Sequence, residues 1–272
     1  MCIRDRVIGL TVTEEIDRKH QEDLQRLRGF RLLDDDFFTK CFEGDTECIE
    51  LILQIVLDKQ DLKVVDVRTQ VFVENLLNRS VRLDVLATNS VGHKFNIEIQ
   101  RADKGAGRKR ARYNSSMMDA NLLEKGEDFE VLPETFVVFI TENDVIGKGQ
   151  PLYRIERCFL ETGESFDDGS HILYVNGAYR DESPIGRLMH DFSCTNPSDM
   201  YYGVLADRVR FFKESKEGIA VMCKVMEDMR KDSLKEVALR MLAAGKYALE
   251  EIANISGLSL EEVKKLKEKR TV

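Results

Sequence analysis

The sequence predicts an α/β protein, a sheet flanked by helices, followed by an α-helical C-terminal region. Three observations predict this class. Residues 82–100 show the alternation and central turn of a β-hairpin. Residues 136–140 form a fully apolar run that is typical of a buried central strand. Residues 200–269 instead carry apolar side chains at helical spacing, separated by glycine turns.

The N-terminal third is predicted to supply helices and a first strand. Residues 1–31 are strongly charged and are expected to be a partly disordered leader, and residues 1–6 resemble stray sequence that we exclude from fold reasoning. Residues 32–58 show helical spacing, interrupted at 43–46. Residues 63–75 are predicted to form the first strand, with a turn at 75–78.

The hairpin that follows carries the most informative polar residues. On its second strand the side chains alternate, with Phe95, Ile97 and Ile99 on one face and Asn96, Glu98 and Gln100 on the other. Asp84 lies on the neighbouring strand, where it can meet Glu98 across the hairpin. Hard cations such as Mg²⁺ prefer carboxylate oxygens. The sequence therefore predicts a divalent-metal site at Asp84 and Glu98, with Gln100 beside it.

A basic segment follows the hairpin directly. Residues 101–112 contain six basic residues and one acid, and residues 108–125 are predicted to form a helix. Beside an acidic metal site, Arg108, Arg110 and Arg112 are candidates for phosphate contacts, and the alternative is an ordinary solvated face. The apolar strand at 136–140 comes next, and two further strands are predicted within 153–161 and 171–179.

The C-terminal region is predicted to be helical. Residues 184–191 and 200–229 form helices, and residues 231–272 form a small unit in which a helix, a glycine turn and a second helix resemble a helix-turn-helix. Acids at the front of the last helix disfavour DNA contact, so a packing or assembly hairpin remains an alternative. His190 and Cys194 could pair as catalytic groups, but a packing role is the expected one.

Composition limits the classes of function. The chain has 272 residues, 43% hydrophobic and 33% charged, with a net charge of −8. No apolar run is long enough for a membrane helix, and no secretory signal is evident, so we expect a cytoplasmic protein with no membrane partner. Six cysteines without metal-binding spacing are expected to be reduced thiols. An acidic chain is a poor non-specific DNA binder, which is the main objection to a nuclease.

The order helix–strand–strand–strand–helix–strand, together with Asp84 and Glu98-Ile99-Gln100, resembles the core of the PD-(D/E)XK nuclease superfamily. Four stretches further resemble its recombination-promoting nuclease (Rpn-like) family, which is related to transposases. These stretches are residues 35–42, residues 82–85 with 97–100, residues 109–113 with 123–129, and residues 139–142. Gln in place of the usual Lys is common in that family, so Gln100 need not mean an inactive site.

The resemblance implies a mixed sheet flanked by helices, with a nuclease-like domain at 32–195, a linking helical segment at 196–230 and the small unit at 231–272. It implies a Mg²⁺- or Mn²⁺-dependent DNA endonuclease that hydrolyses phosphodiester bonds in recombination or mobile elements. Asp84 and Glu98 would be metal ligands and, with Gln100, the catalytic residues. Glu47 or Glu50 could add an acid from the first core helix, although a solvated acidic face is the alternative.

Two other functions remain open at this stage. The fold could serve as a DNA- or protein-binding module whose chemistry is weak or lost, because Gln100 replaces a lysine. It could also be an interaction protein in which Glu98 and Gln100 are ordinary strand residues. DNA is the expected partner, organic cofactors are not expected, and self-assembly into a homo-oligomer is left open.

Overall fold

The computed structural model describes residues 12–75, 79–101 and 103–270. These residues form two compact units: Arg28–Glu214 is one, and residues 12–27 with 215–270 are the other. Residues 1–6, which we expect to be stray sequence, lie outside the described residues, as does most of the turn predicted at 75–78. Within the described part of the chain, no helix is long and apolar enough to cross a membrane.

The unit Arg28–Glu214 is built on one six-stranded mixed sheet, as predicted. Its strands are β1 (Val64–Val73), β2 (Val81–Asn89), β3 (Lys94–Gln100), β4 (Thr135–Thr141), β5 (Leu152–Ile155) and β6 (Ser170–Asn176). Their spatial order is β1-β2-β3-β4-β6-β5. The pairs β1–β2, β2–β3 and β5–β6 are antiparallel, whereas β3–β4 and β4–β6 are parallel. The sheet changes from antiparallel to parallel at β3.

Among the residues that the structure describes, five complete α-helices belong to this unit. They are α2 (Asp35–Phe42), α3 (Thr46–Leu57), α4 (Arg108–Ala120), α5 (Pro184–Ser193) and α6 (Gly203–Glu214). The predicted break at 43–46 separates α2 from α3, and the Asp45 side chain caps α3 by accepting a hydrogen bond from the Cys48 main-chain N–H at 2.9 Å. Helix α4 ends at Ala120, five residues before the predicted end.

Helices cover both faces of the sheet. Helix α4 connects β3 to β4 and packs on one face, over a core that includes Val137, Phe139 and Tyr174. Helices α2 and α3 pack on the other face, near β1. Strand β3 is therefore buried along residues 95–99 on both faces. The polar side of its alternation, Asn96 and Glu98, lies inside the protein under α4.

The second unit contains α1 (Val12–Arg28, whose last residue belongs to the first unit), α7 (Lys216–Ala244), α8 (Leu249–Ser256) and α9 (Leu260–Arg270). Ser215 caps α7 and so divides residues 200–229, predicted as one helix, into α6 and α7. Helix α7 then continues through 230–231, where the sequence predicted a boundary. Its C-terminal part packs with α8 and α9 around Ala238, Ile252 and Val263.

Candidate active site

The carboxylate of Asp84 replaces a rung of the β2–β3 ladder. These strands pair from Thr88, opposite Lys94, to Val85, opposite Ile97. One residue further on, Asp84 Oδ2 accepts a hydrogen bond from the main-chain N–H of Ile99 at 3.1 Å. The side chain of Asp84 is only 7% exposed. The ladder thus ends where an acid is anchored beside Glu98, as the hairpin pattern predicted.

Glu98 is a buried carboxylate with one strong partner. Its side chain is 0% exposed, and Oε2 accepts a hydrogen bond from Arg110 at 2.6 Å. Among the described residues, no group donates a hydrogen bond to the other oxygen, Oε1. The Asn96 side chain lies close enough to favour the charged form of Glu98, although neither of its amide atoms meets hydrogen-bond geometry with any described group. A buried oxygen without a donor is costly unless another group binds it.

Both acids have a raised pKa in the folded protein, with burial as the largest cause. Burial and the nearby charges of Glu98 and Asp35 raise the pKa of Asp84 to about 8, against the partial compensation of the Ile99 N–H. Burial also raises the pKa of Glu98, and Arg110 opposes that rise. Two ionised carboxylates placed together without water are unfavourable. The site is therefore electrostatically prepared for a cation.

Gln100 lies at the end of β3, under the short 3₁₀ turn Asp103–Ala106. Its Oε1 accepts a hydrogen bond from Arg110 at 3.2 Å. A Cβ atom on Gly105 would come within 1.8 Å of the same oxygen. Glycine at position 105 therefore lets the turn approach Gln100 closely, and this approach keeps the Gln100 amide beside the two acids.

A basic cleft opens next to these residues. It has a volume of about 1050 Å³ and is formed by the start of β2, the turn Asp103–Ala106 and the first turns of α4. Its lining carries six cationic side chains and, among the lining residues that the structure describes, no acid. The six are Arg79, Arg82, Lys104, Lys109, Arg110 and Arg112. Such a concentration of positive charge suits a phosphodiester backbone.

The acids fit a divalent cation. Asp84 and Glu98 offer hard carboxylate oxygens, which is the donor type that Mg²⁺ and Mn²⁺ prefer. Glu98 Oε1 is buried and has no donor among the described residues, so it is available as a ligand. The raised pKa of Asp84 has burial as its largest cause, and a bound cation would offset exactly that unfavourable charge.

The comparisons with known proteins agree with this geometry. Residues 37–178, just over half of the chain, match a protein family that is described as 'PD-(D/E)XK nuclease family transposase'. The chain belongs to this family. No curated protein and no solved structure matches the chain. The mixed sheet with flanking helices is the α/β fold of PD-(D/E)XK nucleases, so the predicted fold class and superfamily are confirmed.

Membership supports a nuclease- or transposase-associated role, for which DNA is the usual substrate. PD-(D/E)XK nucleases generally use divalent metal ions, which agrees with the carboxylates that converge here. The matched region contains Asp84, Glu98, Gln100 and the whole basic segment of α4. It ends after β6, so the match does not extend to the helices α5–α9.

The structure brings a different helical acid to the site from the two predicted. Glu50 is engaged elsewhere: its carboxylate accepts hydrogen bonds from Lys63 at 2.6 Å and from the main-chain N–H of Val64 at 3.0 Å. Val64 pairs with Asn89, at the end of the hairpin away from Asp84. Lys94 lies at that same end of the hairpin, where it pairs with Thr88. Glu98 is four residues further along β3, which corresponds to about 13 Å. Glu50 is therefore a structural acid.

Asp35 is the helical acid nearest to the pair in electrostatic terms. It is the first residue of α2, and its charge raises the pKa of both Asp84 and Glu98. Burial raises its own pKa, with Asp36 adding to the rise and the hydrogen bond from Thr39 and the charge of Arg110 opposing it. Glu47, the other predicted candidate, is exposed in the first turn of α3. The sequence analysis missed Asp35, and the signal that could have pointed to this end of α2 is the run of three acids before Phe37-Phe38.

The three arginines proposed for phosphate contact do not lie together. Arg110 and Arg112 line the basic cleft, whereas Arg108 is exposed outside its lining. Arg110 is bonded to Glu98 and Gln100 and so belongs to the centre of the site. The cleft also recruits Arg79 and Arg82 from the start of β2, which the sequence did not single out because they are far from α4 along the chain.

A second group of polar side chains lies in α5. His190 Nδ1 is 3.5 Å from Cys194 Sγ and 3.3 Å from Asp191 Oδ1. Asp191 is fully buried and accepts hydrogen bonds from the main-chain N–H groups of Tyr201 and Tyr202, each at 2.8 Å. Its carboxylate therefore anchors the segment that leads into α6, which favours the packing role expected for this group.

Proposed function

We propose that this protein is a metal-dependent DNA endonuclease that hydrolyses phosphodiester bonds, in recombination or in the movement of mobile elements. One observation carries the proposal. Two buried carboxylates, Asp84 and Glu98, lie next to a cleft that is lined by six cationic side chains, and one of these cations, Arg110, bonds Glu98. Acids beside a basic cleft join a metal-binding function to a phosphate-binding one, and a nuclease needs both.

Each part of the site has a distinct task. Asp84 and Glu98 would hold Mg²⁺ or Mn²⁺, with Asp35 close enough to contribute. When bound, the ion polarises the scissile phosphate and makes water a better nucleophile. Gln100 is neutral and cannot act as a base, so its amide can only orient water by hydrogen bonds. Arg79, Lys109 and Arg112 would contact flanking phosphates and hold the backbone in the cleft.

The alternative is a binding module that has kept the fold and lost the chemistry. Its supporting observation is that position 100 carries a neutral amide, while the one cation bonded to Glu98 among the described residues comes from α4. In that case the basic cleft would still bind DNA in a salt-dependent way, because phosphate contacts do not require the metal.

The test is nicking of supercoiled plasmid by purified protein in Mg²⁺, Mn²⁺ or EDTA, beside Glu98→Ala. Cleavage that requires metal and disappears in the variant supports the endonuclease and its site. Salt-dependent DNA binding by both proteins, without cleavage by either, would favour the binding module. Glu50→Gln is the matched control, since Glu50 is an acid of the same domain that is engaged by Lys63, and it should cleave normally.

A further inference from the structure

Arg110 is bonded to both candidate catalytic residues of β3. Its guanidinium donates to Glu98 Oε2 at 2.6 Å and to Gln100 Oε1 at 3.2 Å. A third bond goes to the main-chain carbonyl of Gly105 at 3.1 Å. The guanidinium also lies over the ring of Phe139, 5.8 Å from its centroid. Arg110 therefore occupies the centre of the site, unlike the other cations of the cleft.

The local structure holds this arrangement in place. Arg110 lies in the first turn of α4, where its main-chain N–H bonds the carbonyl of Gly107 at 2.8 Å, and the next residue, Ala111, is 1% exposed. The 3₁₀ turn before it is fixed by Tyr174, whose hydroxyl donates to the Ala106 carbonyl at 3.0 Å. Because Ala111 and the Tyr174–Ala106 bond are both buried, the fold fixes the position from which the Arg110 side chain extends toward β3.

Strand β3 itself brings no cation to this point, because position 100 is a neutral glutamine. We propose that Arg110 supplies from α4 the positive charge that a strand lysine would supply at position 100, and that it shares Glu98 with the divalent ion. This inference rests on the proposed nuclease function. A guanidinium offers hydrogen-bond donors and no acceptor, so Arg110 acts by charge and hydrogen bonds.

Sharing Glu98 has a direct consequence for metal binding. Oε2 of Glu98 is bonded to Arg110, and a cation bound at Oε1 would weaken that bond by drawing on the charge of the same carboxylate and by repelling the guanidinium. With this bond weakened, Arg110 can turn toward the cleft, where a guanidinium can donate two hydrogen bonds to phosphate oxygens. Arg110 thus opposes metal binding alone and favours the complex of protein, metal and DNA.

The first test measures metal binding without DNA, by calorimetric titration with Mn²⁺. Arg110→Ala is expected to bind Mn²⁺ about tenfold more tightly than wild type, because a charge-assisted bond to Glu98 no longer competes. Arg112→Ala is the matched control, an arginine of the same helix and cleft, and its Mn²⁺ affinity should equal that of wild type. Glu98→Ala should lose Mn²⁺ binding, which confirms the ligand independently.

The second test separates a catalytic role from a structural one by plasmid cleavage at saturating Mn²⁺. Arg110→Ala should lower kcat by about 10²-fold, in the range seen when one charge-stabilising donor is removed, with little change in KM. Gln100→Lys in the Arg110→Ala background should recover at least tenfold of that loss, because a lysine at position 100 places a cation within the same few ångströms. The same lysine in wild type should not raise activity, since it would repel Arg110.

Arg110→Lys keeps the positive charge but loses the planar guanidinium that donates to three acceptors. The kcat of this variant should lie between those of wild type and Arg110→Ala. Circular dichroism melting checks that each variant is folded. If wild type binds no Mn²⁺ and cleaves nothing, the proposed function fails and this inference fails with it. If wild type binds and cleaves, but Arg110→Ala matches it in Mn²⁺ affinity or is not rescued by Gln100→Lys, the inference alone is overturned.

Discussion

Asp84 accepts the main-chain N–H of Ile99 at 3.1 Å, at the point where the β2–β3 ladder ends. The bond fixes an acid in the sheet interior, one residue from Glu98. It only partly offsets the unfavourable burial of this acid, because the pKa of Asp84 is still raised to about 8. A group arranged in this way should reduce stability in exchange for function.

The first prediction concerns Asp84→Asn. Since the folded-state pKa of about 8 lies above the value of 3.8 expected for an unperturbed Asp, folding takes up a proton between these values, and stability falls as pH rises from about 4 to about 8. Asparagine cannot ionise and can still accept the Ile99 N–H. The metal-free variant should be more stable than wild type at pH 8, by at least about 1 kcal/mol, and similar to it at pH 4.

Urea denaturation at both pH values, in EDTA, measures this difference. Asp66→Asn is the control: Asp66 is an exposed acid on β1 that pairs with Arg68, and its replacement should change stability by less than about 0.5 kcal/mol at either pH. A wild-type protein whose stability rises from pH 4 to pH 8 relative to Asp84→Asn would contradict the burial of an unfavourable charge at this position.

The second prediction distinguishes Asp35 from Glu50 as the third acid. Mn²⁺ should raise the melting temperature of wild type, because a ligand that binds only the folded state stabilises it by about 2.7 kcal/mol at a hundredfold excess over Kd. Asp35→Asn should weaken this response, since its charge acts on Asp84 and Glu98. Glu50→Gln should keep the full response, although it should itself be less stable by about 1 kcal/mol through the loss of its bonds to Lys63 and Val64.

The third prediction uses Gly105→Ala to displace Gln100. The new Cβ would overlap Gln100 Oε1, which is the far end of a flexible side chain and can move away. Stability should therefore change by less than about 1 kcal/mol, while cleavage falls about tenfold or more because Gln100 no longer orients water. Gly107→Ala is the neighbouring control, since a Cβ there meets only the Lys104 carbonyl, at 3.9 Å. Equal cleavage rates for the two variants would mean that Gln100 takes no part in the reaction.

The fourth prediction tests the cleft as a phosphate-binding surface. Arg112→Ala and Arg79→Ala should each weaken DNA binding at low salt and reduce the slope of log K against log[salt] by about 1, as expected for one lost phosphate contact. Fluorescence anisotropy with a labelled duplex in EDTA measures both quantities. Arg210→Ala removes an exposed arginine of α6 that pairs with Asp207, and it should leave the slope unchanged. A uniform effect of all three variants would mean that the cleft has no special part in binding.

Much of the sheet could be predicted because local patterns specify it. The hairpin at Asp84 and Glu98 and the buried strand β4 follow from alternation and from an unbroken apolar run. The mixed character of the sheet came from the family resemblance. The predicted end of α4 was wrong because Gly126 resembles the glycine that follows a helix, whereas the helix already ends at Ala120 and Gly126 lies in the segment after it, with a positive φ of 97°.

The site was only partly predictable for a different reason. Asp84, Glu98 and Gln100 lie within one hairpin, so their spacing along the chain is enough to bring them together. Asp35 and Arg110 reach them from α2 and α4, and that approach depends on how helices pack on the sheet, which local sequence does not encode. Glu50 was one of two candidates beside the alternative of a solvated acidic face, and its bond to the Val64 N–H places it at the start of β1.

The basic cleft also bears on how DNA would arrive. The whole chain carries a net charge of −8, yet every charged residue in the described lining of the cleft is cationic. A polyanion is repelled by the net negative charge of such a molecule and attracted by this cleft. Association should therefore be oriented during diffusion, with an on-rate that falls steeply as ionic strength rises. The acidic composition, which argues against non-specific DNA binding, would then disfavour contact of DNA with the rest of the surface. The cleft beside Asp84 and Glu98 would be the favoured binding surface.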